Sequence, residues 1–268
     1  MSAALPMKWL EKPWGRRDLP NPFGSRHDRP IGEIWFEPTA LTGSLMAKYL
    51  FTSEKLSVQV HPTDRCSPTG IGKDECWLVV HANAGARVAL GFREELSLDE
   101  LRDASRAGTI EQLLAWHPVA AGDFVYLPAG TVHTIGAGLT LVEVQENTDI
   151  TYRLFDYGRP RELHLEDALR AVRTGPHPPS YRRRLDENRS AVLVDGPKFT
   201  VTHVVAHEGL PEEYDLTGPH LVLPLASEVE VNGQSFAPGT ATECTSLDDV
   251  RLTGEARCLV VRAVRPVR

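Results

Sequence analysis

The most informative stretch of the sequence spans residues 122–133 and reads GDFVYLPAGTVH. Its pattern is G-x5-P-x-G-x2-H, in which a short apolar run is followed by a Pro/Gly corner and then by a histidine. Strand-forming residues bounded by glycine and proline predict a β-strand that ends in a tight turn. A chain that turns so sharply directs the next side chains back over the strand. We therefore expect His133 to point into the interior of a β barrel.

A second informative stretch, residues 56–61, reads LSVQVH and alternates apolar and polar residues. Successive side chains of a strand point to opposite faces, so Gln59 and His61 share one face. Glu75 follows after a glycine-rich loop. Two imidazoles and one carboxylate are a common ligand set for a catalytic divalent metal, and an amide oxygen is a weaker fourth ligand. The sequence thus predicts a metal site formed by these three residues and His133.

Similar short strands continue on both sides of these two stretches. They are separated by clusters of Gly, Pro, Asn and Asp, and this spacing predicts a mainly β sandwich or barrel. Two helical stretches interrupt the strands, an insertion near residues 97–115 and a shorter helix at residues 163–173. The insertion begins with Ser97 and Glu100, which fit a capping box.

The domain boundary is predicted near residues 174–179, which read TGPHPP. Proline lacks the backbone N–H and fixes φ, so a helix cannot continue through this segment. We expect a metal-binding catalytic domain over residues 1–175 and a smaller C-terminal β unit over residues 190–268. The second unit carries no comparable cluster of ligand residues, so we expect no metal site in it. Within it, Asn232-Gly233 predicts a hairpin turn.

Composition and charge argue against several functional classes. The 268 residues are 41% hydrophobic and 24% charged, with a net charge of −7 at pH 7. Such a protein lacks the basic face that binding to nucleic acid or to anionic membranes requires. No apolar run approaches a membrane span, and the first ten residues lack the apolar core of a signal peptide. The cysteines form no C-x-x-C pair, so we expect reduced thiols in a cytoplasmic protein: Cys66, Cys76, Cys244 and Cys258.

The P-x-G-x-x-H motif resembles the second motif of the cupins, although Ala137 stands where many cupins have Asn. The first cupin motif usually contains H-x-H, whereas this chain has Gln59-x-His61, with Glu75 beyond a glycine-rich loop. In this departure the chain resembles the type I phosphomannose isomerases, over roughly residues 8–167. The resemblance rests on the segments KPWG (12–15), GEIW (32–35), Lys48, LSVQVHP (56–62), KDECW (73–77), GTVH (130–133), EVQENTD (143–149) and TYRLFD (151–156).

The resemblance implies both a fold and an activity. The fold is a cupin double-stranded β-helix, which is a jelly-roll barrel with a few helices, in two cupin-like units of which the first binds the metal. The activity is that of a zinc-dependent aldose–ketose isomerase, which interconverts mannose 6-phosphate and fructose 6-phosphate through an enediolate. One Zn²⁺ per chain would be held by the four predicted ligands. The chain would act on its hexose phosphate as a monomer or a homodimer.

The same resemblance implies roles for further residues. Lys73 matches a lysine proposed for acid/base work in the family. Lys48 and Asp149 match other positions implicated in catalysis. Arg153 matches an arginine expected to stabilise negative charge on the substrate. Ser57, which projects with the predicted ligands of its strand, is our candidate donor to the substrate phosphate.

Two other functions stay open at this stage. Two histidines and one carboxylate also form the facial triad of Fe(II) oxygenases, which iron-dependent oxygen consumption would reveal. A cupin can also keep its metal without turnover, as a sugar sensor or a structural module. In that case, substitution of Lys73 would change neither sugar affinity nor any activity.

Overall fold

The computed structural model describes residues 3–24, 26–211 and 217–264, and its mainly β content confirms the predicted fold class. The strands up to residue 184 form an N-terminal unit: β1 (Met7–Arg16), β2 (Ile31–Phe36), β3 (Leu45–Phe51), β4 (Val58–Val60), β5 (Glu75–Ala82), β6 (Arg87–Phe92), β7 (Leu114–Pro118), β8 (Asp123–Leu127), β9 (His133–Ile135), β10 (Leu139–Glu146), β11 (Tyr152–Phe155) and β12 (Arg182–Arg184). The later strands form a C-terminal unit: β13 (Ala191–Asp195), β14 (Phe199–Val205), β15 (Thr217–Ala226), β16 (Val229–Val231), β17 (Gln234–Phe236), β18 (Thr242–Ser246), β19 (Val250–Leu252) and β20 (Arg257–Ala263). The α-helices are α1 (Leu98–Ala107) and α2 (Leu165–Ala171).

Two antiparallel sheets of the N-terminal unit face each other as a flattened barrel. One sheet has the strand order β1-β2-β3-β10-β5-β8-β12, and the other has the order β11-β4-β9-β6-β7. Their facing sides meet in a buried cluster that joins Val79 and Val125 of the first sheet to Val88 and Ile135 of the second. These four side chains are at most 3% exposed. Burial of their apolar surface is the main force that holds the two sheets together.

The helical insertion consists of α1 and a short 3-10 turn. The Ser97 side chain accepts a hydrogen bond from the backbone N–H of Glu100, whose carboxylate accepts from the backbone N–H of Ser97, so the expected capping box is present. The helix ends at Gly108, where φ is 72°, a conformation that glycine adopts without steric cost. From Leu114 onward the chain is already β7, paired with β6, so the insertion is shorter than predicted. Neither of the helices that the structure describes is long and apolar enough to cross a membrane.

The C-terminal unit consists of two further antiparallel sheets, with the orders β13-β14-β20-β15-β18 and β17-β16-β19. Asn232 and Gly233 join β16 to β17 with φ values of 52° and 74°, which forms the expected hairpin turn. The interior is apolar and includes Val204, Val222 and Phe236. In the described part of the chain, a cluster of His, Cys, Asp and Glu suited to a metal ion occurs in the N-terminal unit and not in this one.

The two units pack through one face of the larger N-terminal sheet. Phe36 and Phe124 of that sheet form a buried cluster with Phe199 and Leu221 of the C-terminal unit. The same sheet gains an edge strand from residues 182–184, which fall between the two predicted domains and pair with β8 as β12. An Arg-Arg-Arg segment gives no sign of a strand, but pairing with an edge satisfies its backbone groups whatever its side chains are.

Candidate metal centre and active site

Two paired strands of one sheet, β4 and β9, and strand β5 of the other sheet bring the predicted metal ligands together. Gln59 lies in β4 directly opposite His133, the first residue of β9. His61 immediately follows β4, and Glu75 is the first residue of β5. The ligand atoms of the two histidines and the glutamate all lie within 4.8 Å of one another. Pairing of β4 with β9 and packing of the two sheets thus collect at one point residues that are widely separated in the sequence.

The two imidazoles are held in the orientation that metal ligation needs. His61 donates its Nδ1–H to the backbone oxygen of Ile150 (2.8 Å), and His133 donates its Nδ1–H to that of Thr131 (3.0 Å). Each ring therefore keeps an Nε2 lone pair directed into the site. Burial lowers the pKa of His61 to about 4, assisted by the nearby Lys73 ammonium. Burial also lowers the pKa of His133, so both rings are neutral at pH 7.

The Glu75 carboxylate lies between the two imidazoles. Its Oε2 is 3.2 Å from Nε2 of His61, and its Oε1 is 3.4 Å from Nε2 of His133. Burial alone would raise its pKa, but the Lys73 ammonium holds the pKa of Glu75 well below its usual range. Glu75 is only 1% exposed, and in the described part of the chain its carboxylate has an ion pair with Lys73 but no well-aligned hydrogen bond.

This donor set fits a divalent metal ion. A buried, ionised carboxylate that faces two imidazole lone pairs is stabilised by a cation at their common point. In this structure the nearest cation is the ammonium of Lys73, whose Nζ is 3.0 Å from Oε2 of Glu75 and 3.1 Å from Nε2 of His61. The backbone carbonyls that orient both rings are the outer contacts typical of metal-binding histidines.

Gln59 completes the set through its side-chain amide. Its Nε2 lies 3.2 Å from Nε2 of His133, and its Oε1 accepts a hydrogen bond from the hydroxyl of Ser57 at 3.0 Å. A half-turn about the last side-chain bond of Gln59 exchanges the two amide atoms. The oxygen then faces the ligands, as metal binding requires, and the NH₂ group can donate to Ser57.

A cavity adjoins the metal ligands. The residues predicted from the sequence that line it are Lys48, Ser57, Gln59, Lys73, Asp149 and Arg153. The remaining three predicted residues, His61, Glu75 and His133, are buried beside Gln59 and Lys73. The structure therefore brings all nine predicted site residues to one place.

A buried chain of alternating charges forms one wall of this cavity. Nζ of Lys48 lies 2.8 Å from Oε1 of Glu143, and Nζ of Lys73 lies 3.9 Å from the same oxygen. Trp77 donates its indole N–H to the other oxygen of Glu143 at 3.0 Å. Burial alone would lower the pKa of Lys48, but the carboxylates of Glu143 and Glu33 raise it above its usual range. Lys48 therefore stays protonated.

Arg153 and Asp149 also line this cavity. Arg153 is in β11, paired with Gln59 of β4. Burial lowers the pKa of its guanidinium from an ordinary value that is far above neutrality, so it remains charged. Its buried Nε has no hydrogen-bond partner within the described ranges, so this N–H is free to bind a ligand. Asp149 is exposed.

Sequence reasoning assigned no role to Glu143 or Glu33. Both are buried acids in strands, 3% and 7% exposed, and each accepts a hydrogen bond from a tryptophan indole. Glu143 stands in the run LTLVEVQE, in which a charged residue among apolar ones is the signal that could have marked it. That signal indicates burial of the charge but does not identify its partners.

A larger groove, of about 680 Å³, lies between the two units. Its lining includes Asp64, Tyr126, Tyr181 and Lys198. Among the residues that the structure describes, none of the predicted ligands and none of the predicted catalytic side chains lines it. Size alone therefore does not identify the candidate active site, whereas the convergence of ligand atoms does.

Comparison with known proteins identifies proteins of similar sequence. No family model matches the sequence. The mannose-6-phosphate isomerase of Streptococcus mutans serotype c is 37% identical over 191 residues, which cover 64% of this chain and 60% of that protein. The chain thus spans about 60% of the length of this curated relative.

Solved structures extend the likeness in fold to the whole chain. The crystal structure of the mannose 6-phosphate isomerase from Bacillus subtilis matches with a TM-score of 0.70 at 22% identity, over 97% of this chain and 98% of that one. A mannose 6-phosphate isomerase bound with zinc and yttrium matches with a TM-score of 0.67 at 14% identity, over 97% and 98% of the two chains. The predicted resemblance to the phosphomannose isomerases is therefore confirmed: the chain is similar to one of them in sequence over 191 residues, and it has their fold along nearly its whole length.

Proposed function

We propose that the chain is a zinc-dependent aldose–ketose isomerase that interconverts mannose 6-phosphate and fructose 6-phosphate. The observation that carries the proposal is the buried Glu75 carboxylate, which faces two oriented imidazoles beside a cavity lined by lysine and arginine. Relatives named mannose-6-phosphate isomerase support the reaction, and a related structure bound with zinc supports the choice of metal.

His61, Glu75 and His133 would hold the zinc ion, with Gln59 as the fourth ligand. When bound, zinc supplies a Lewis acid without redox activity, which polarises a carbonyl and stabilises negative charge. This suits an isomerisation because no electrons are exchanged with another molecule.

Lys73 would move the proton, and to accept it from C2 its side chain must be the neutral amine rather than the ammonium that pairs with Glu75 here. Isomerisation takes a proton from C2 of the aldose and delivers it to C1, with an enediolate of the substrate between the two steps. Lys73 lines the cavity, and its Nζ lies within 3.1 Å of two ligand atoms, so a substrate that reaches the metal also reaches Lys73. Glu143, 3.9 Å from Nζ, provides a second carboxylate for the ammonium form.

Three other residues bind and orient the substrate in this proposal. Lys48 stays protonated and therefore donates to oxygens that become negative, rather than acting as a base. Arg153 offers its free Nε–H for the same purpose. Asp149, which lines the cavity, is placed to exchange protons with hydroxyl groups of the sugar.

Ser57 has a double role in the proposal. Its hydroxyl donates a hydrogen bond to Gln59 at 3.0 Å. Because Ser57 also lines the cavity, it is the candidate donor to the substrate phosphate. Arg161 lines the same cavity and adds a further positive charge. A phosphate bound there meets several cationic groups, which compensates its charge.

The proposal is tested with zinc-loaded protein in a coupled assay that detects fructose 6-phosphate formed from mannose 6-phosphate. His133→Ala should abolish turnover and zinc retention, whereas His81→Ala should change neither, because His81 is exposed and its ring hydrogen-bonds to Asn83, away from the predicted ligands. Removal of zinc by a chelator should stop the reaction, and returning zinc should restore it. Absence of turnover with zinc present, or iron-dependent oxygen consumption instead, would refute the proposal.

A further inference from the structure

Lys198 reaches from the C-terminal unit into the N-terminal unit. It lies in the turn between β13 and β14, and its Nζ contacts Oδ1 of Asp64 at 2.5 Å and Oε1 of Glu146 at 2.8 Å. Its side chain is only 10% exposed. Asp64 belongs to the loop between β4 and β5, and Glu146 ends β10. One ammonium of the second unit therefore binds two carboxylates of the first.

Both carboxylates also bind the backbone on either side of Lys73. The N–H of Gly72 donates to Oδ1 of Asp64 at 2.8 Å, and the N–H of Asp74 donates to Oε2 of Glu146 at 3.0 Å. A single carboxylate side chain therefore links Lys198 to each of the two residues that flank Lys73. Glu75, the metal-ligand residue, follows directly in the chain.

The charge of Lys198 is what keeps the two carboxylates in this arrangement. Both approach the same Nζ, and without its positive charge they would repel each other. They would then be expected to turn toward solvent and release the N–H groups of Gly72 and Asp74. The side chain of Asp74 has separate anchors, the hydroxyl of Tyr126 at 2.5 Å and the N–H of Ala129 at 2.9 Å. Loss of Lys198 should therefore loosen the segment rather than unfold it.

We propose that Lys198 is a positioning residue for the active site, through which the C-terminal unit holds Lys73 and Glu75 in place. The inference rests on the proposed function for its catalytic consequence, because there Lys73 moves the proton and Glu75 binds the metal. Its structural part stands on the bonds from Lys198 through Asp64 and Glu146 to the backbone of residues 72 and 74. It gives the C-terminal unit a task in a reaction whose chemical groups all lie in the other unit.

The test compares Lys198→Met with Lys198→Arg in the full-length, zinc-loaded protein. Hydrogen exchange at the amides of Gly72 and Asp74 should become about tenfold faster in the Met variant, as expected when a charge-supported hydrogen bond is lost. Displacement of the acid/base group should lower kcat by roughly 10- to 100-fold, with KM changed less than about threefold. The Arg variant keeps the charge and should recover most of both properties.

A matched control is Glu243→Gln, which weakens a different contact between the units. Glu243 accepts hydrogen bonds from Thr39 and Thr42 of the N-terminal unit. This variant should leave exchange at residues 72 and 74 unchanged. If it accelerates that exchange as much as Lys198→Met does, the effect is a general loosening of the interface and the proposal is overturned.

The outcomes also separate this proposal from the proposed function. Unchanged exchange at residues 72 and 74 in Lys198→Met overturns the positioning role, whatever the activity. If exchange is faster in the Met variant but the wild type does not isomerise mannose 6-phosphate, the positioning role is supported and the proposed function is refuted. If the Met variant does not fold, Asp64→Ala removes one arm only, and exchange should then rise more at Gly72 than at Asp74.

Discussion

The burial of His177 should make the protein lose stability in mild acid. This residue follows α2, is 5% exposed and donates its Nε2–H to the backbone oxygen of Tyr126 at 2.8 Å. Its Nδ1 has no hydrogen-bond partner among the residues that the structure describes. Burial, with a smaller contribution from Arg182, lowers the pKa of His177 to about 4. The folded protein therefore holds this ring neutral.

The sign and size of the effect follow from proton linkage. An unfolded histidine has a pKa near 6.5, so below that pH the unfolded chain takes up a proton that the folded protein refuses. The stability due to neutral His177 is fully present above about pH 6.5 and is lost as the pH falls toward about 4. Between pH 7 and pH 5 the two pKa values predict a loss of about 2 kcal/mol in the free energy of unfolding.

Urea unfolding of the wild type and His177→Gln at pH 7 and pH 5 measures this loss. Glutamine can still donate to the oxygen of Tyr126 but does not titrate in this range. A chelator is present throughout, so that release of metal in acid does not contribute. The wild type should lose about 2 kcal/mol more than the variant between the two pH values. His81→Gln, at an exposed position, should behave like the wild type. Equal losses in wild type and His177→Gln would refute the reasoning.

Two further predictions concern a helix cap and the guanidinium in the cavity. Ser97→Ala removes the capping box of α1 and should lower the free energy of unfolding by about 1 kcal/mol in urea titrations, with turnover unchanged. Arg153→Lys keeps the positive charge but removes the Nε–H that has no partner in the described chain, and steady-state kinetics should show kcat reduced by roughly tenfold or more.

The proximity of three of the candidate ligands could be predicted because Gln59, His61 and His133 each carry a local signal. Period-two alternation places Gln59 and His61 on one strand face, and the Pro/Gly corner turns His133 inward, as β4 and β9 show. Both signals are contained within a dozen residues and depend on backbone geometry alone. Glu75 reaches the same point from β5 of the other sheet, so its convergence with the other three residues depends on how the two sheets pack.

Several strands could not be predicted because pairing with neighbouring strands stabilises segments whose residues have low strand propensity. The segment of β1 contains Pro13 and Gly15, and its pairing with β2 is interrupted by register shifts. Gly91 in β6 has φ of 64° and packs closely against the backbone of His177. Such residues reduce intrinsic strand preference, which tertiary contacts then override.

The sequence does not predict which buried charges pair with each other. These pairs are also the most informative feature of the site for its function. Lys48, Lys73, Glu75 and Glu143 are each at most 5% exposed. Apolar side chains of similar volume would hold the barrel together at least as well, because taking charges out of water costs about as much as their attraction returns. The surrounding barrel interior is apolar and includes Leu50 and Leu141. A fold that is stable without such a cluster but keeps it beside an open cavity retains it for chemistry, and the proposed proton transfer is chemistry of that kind.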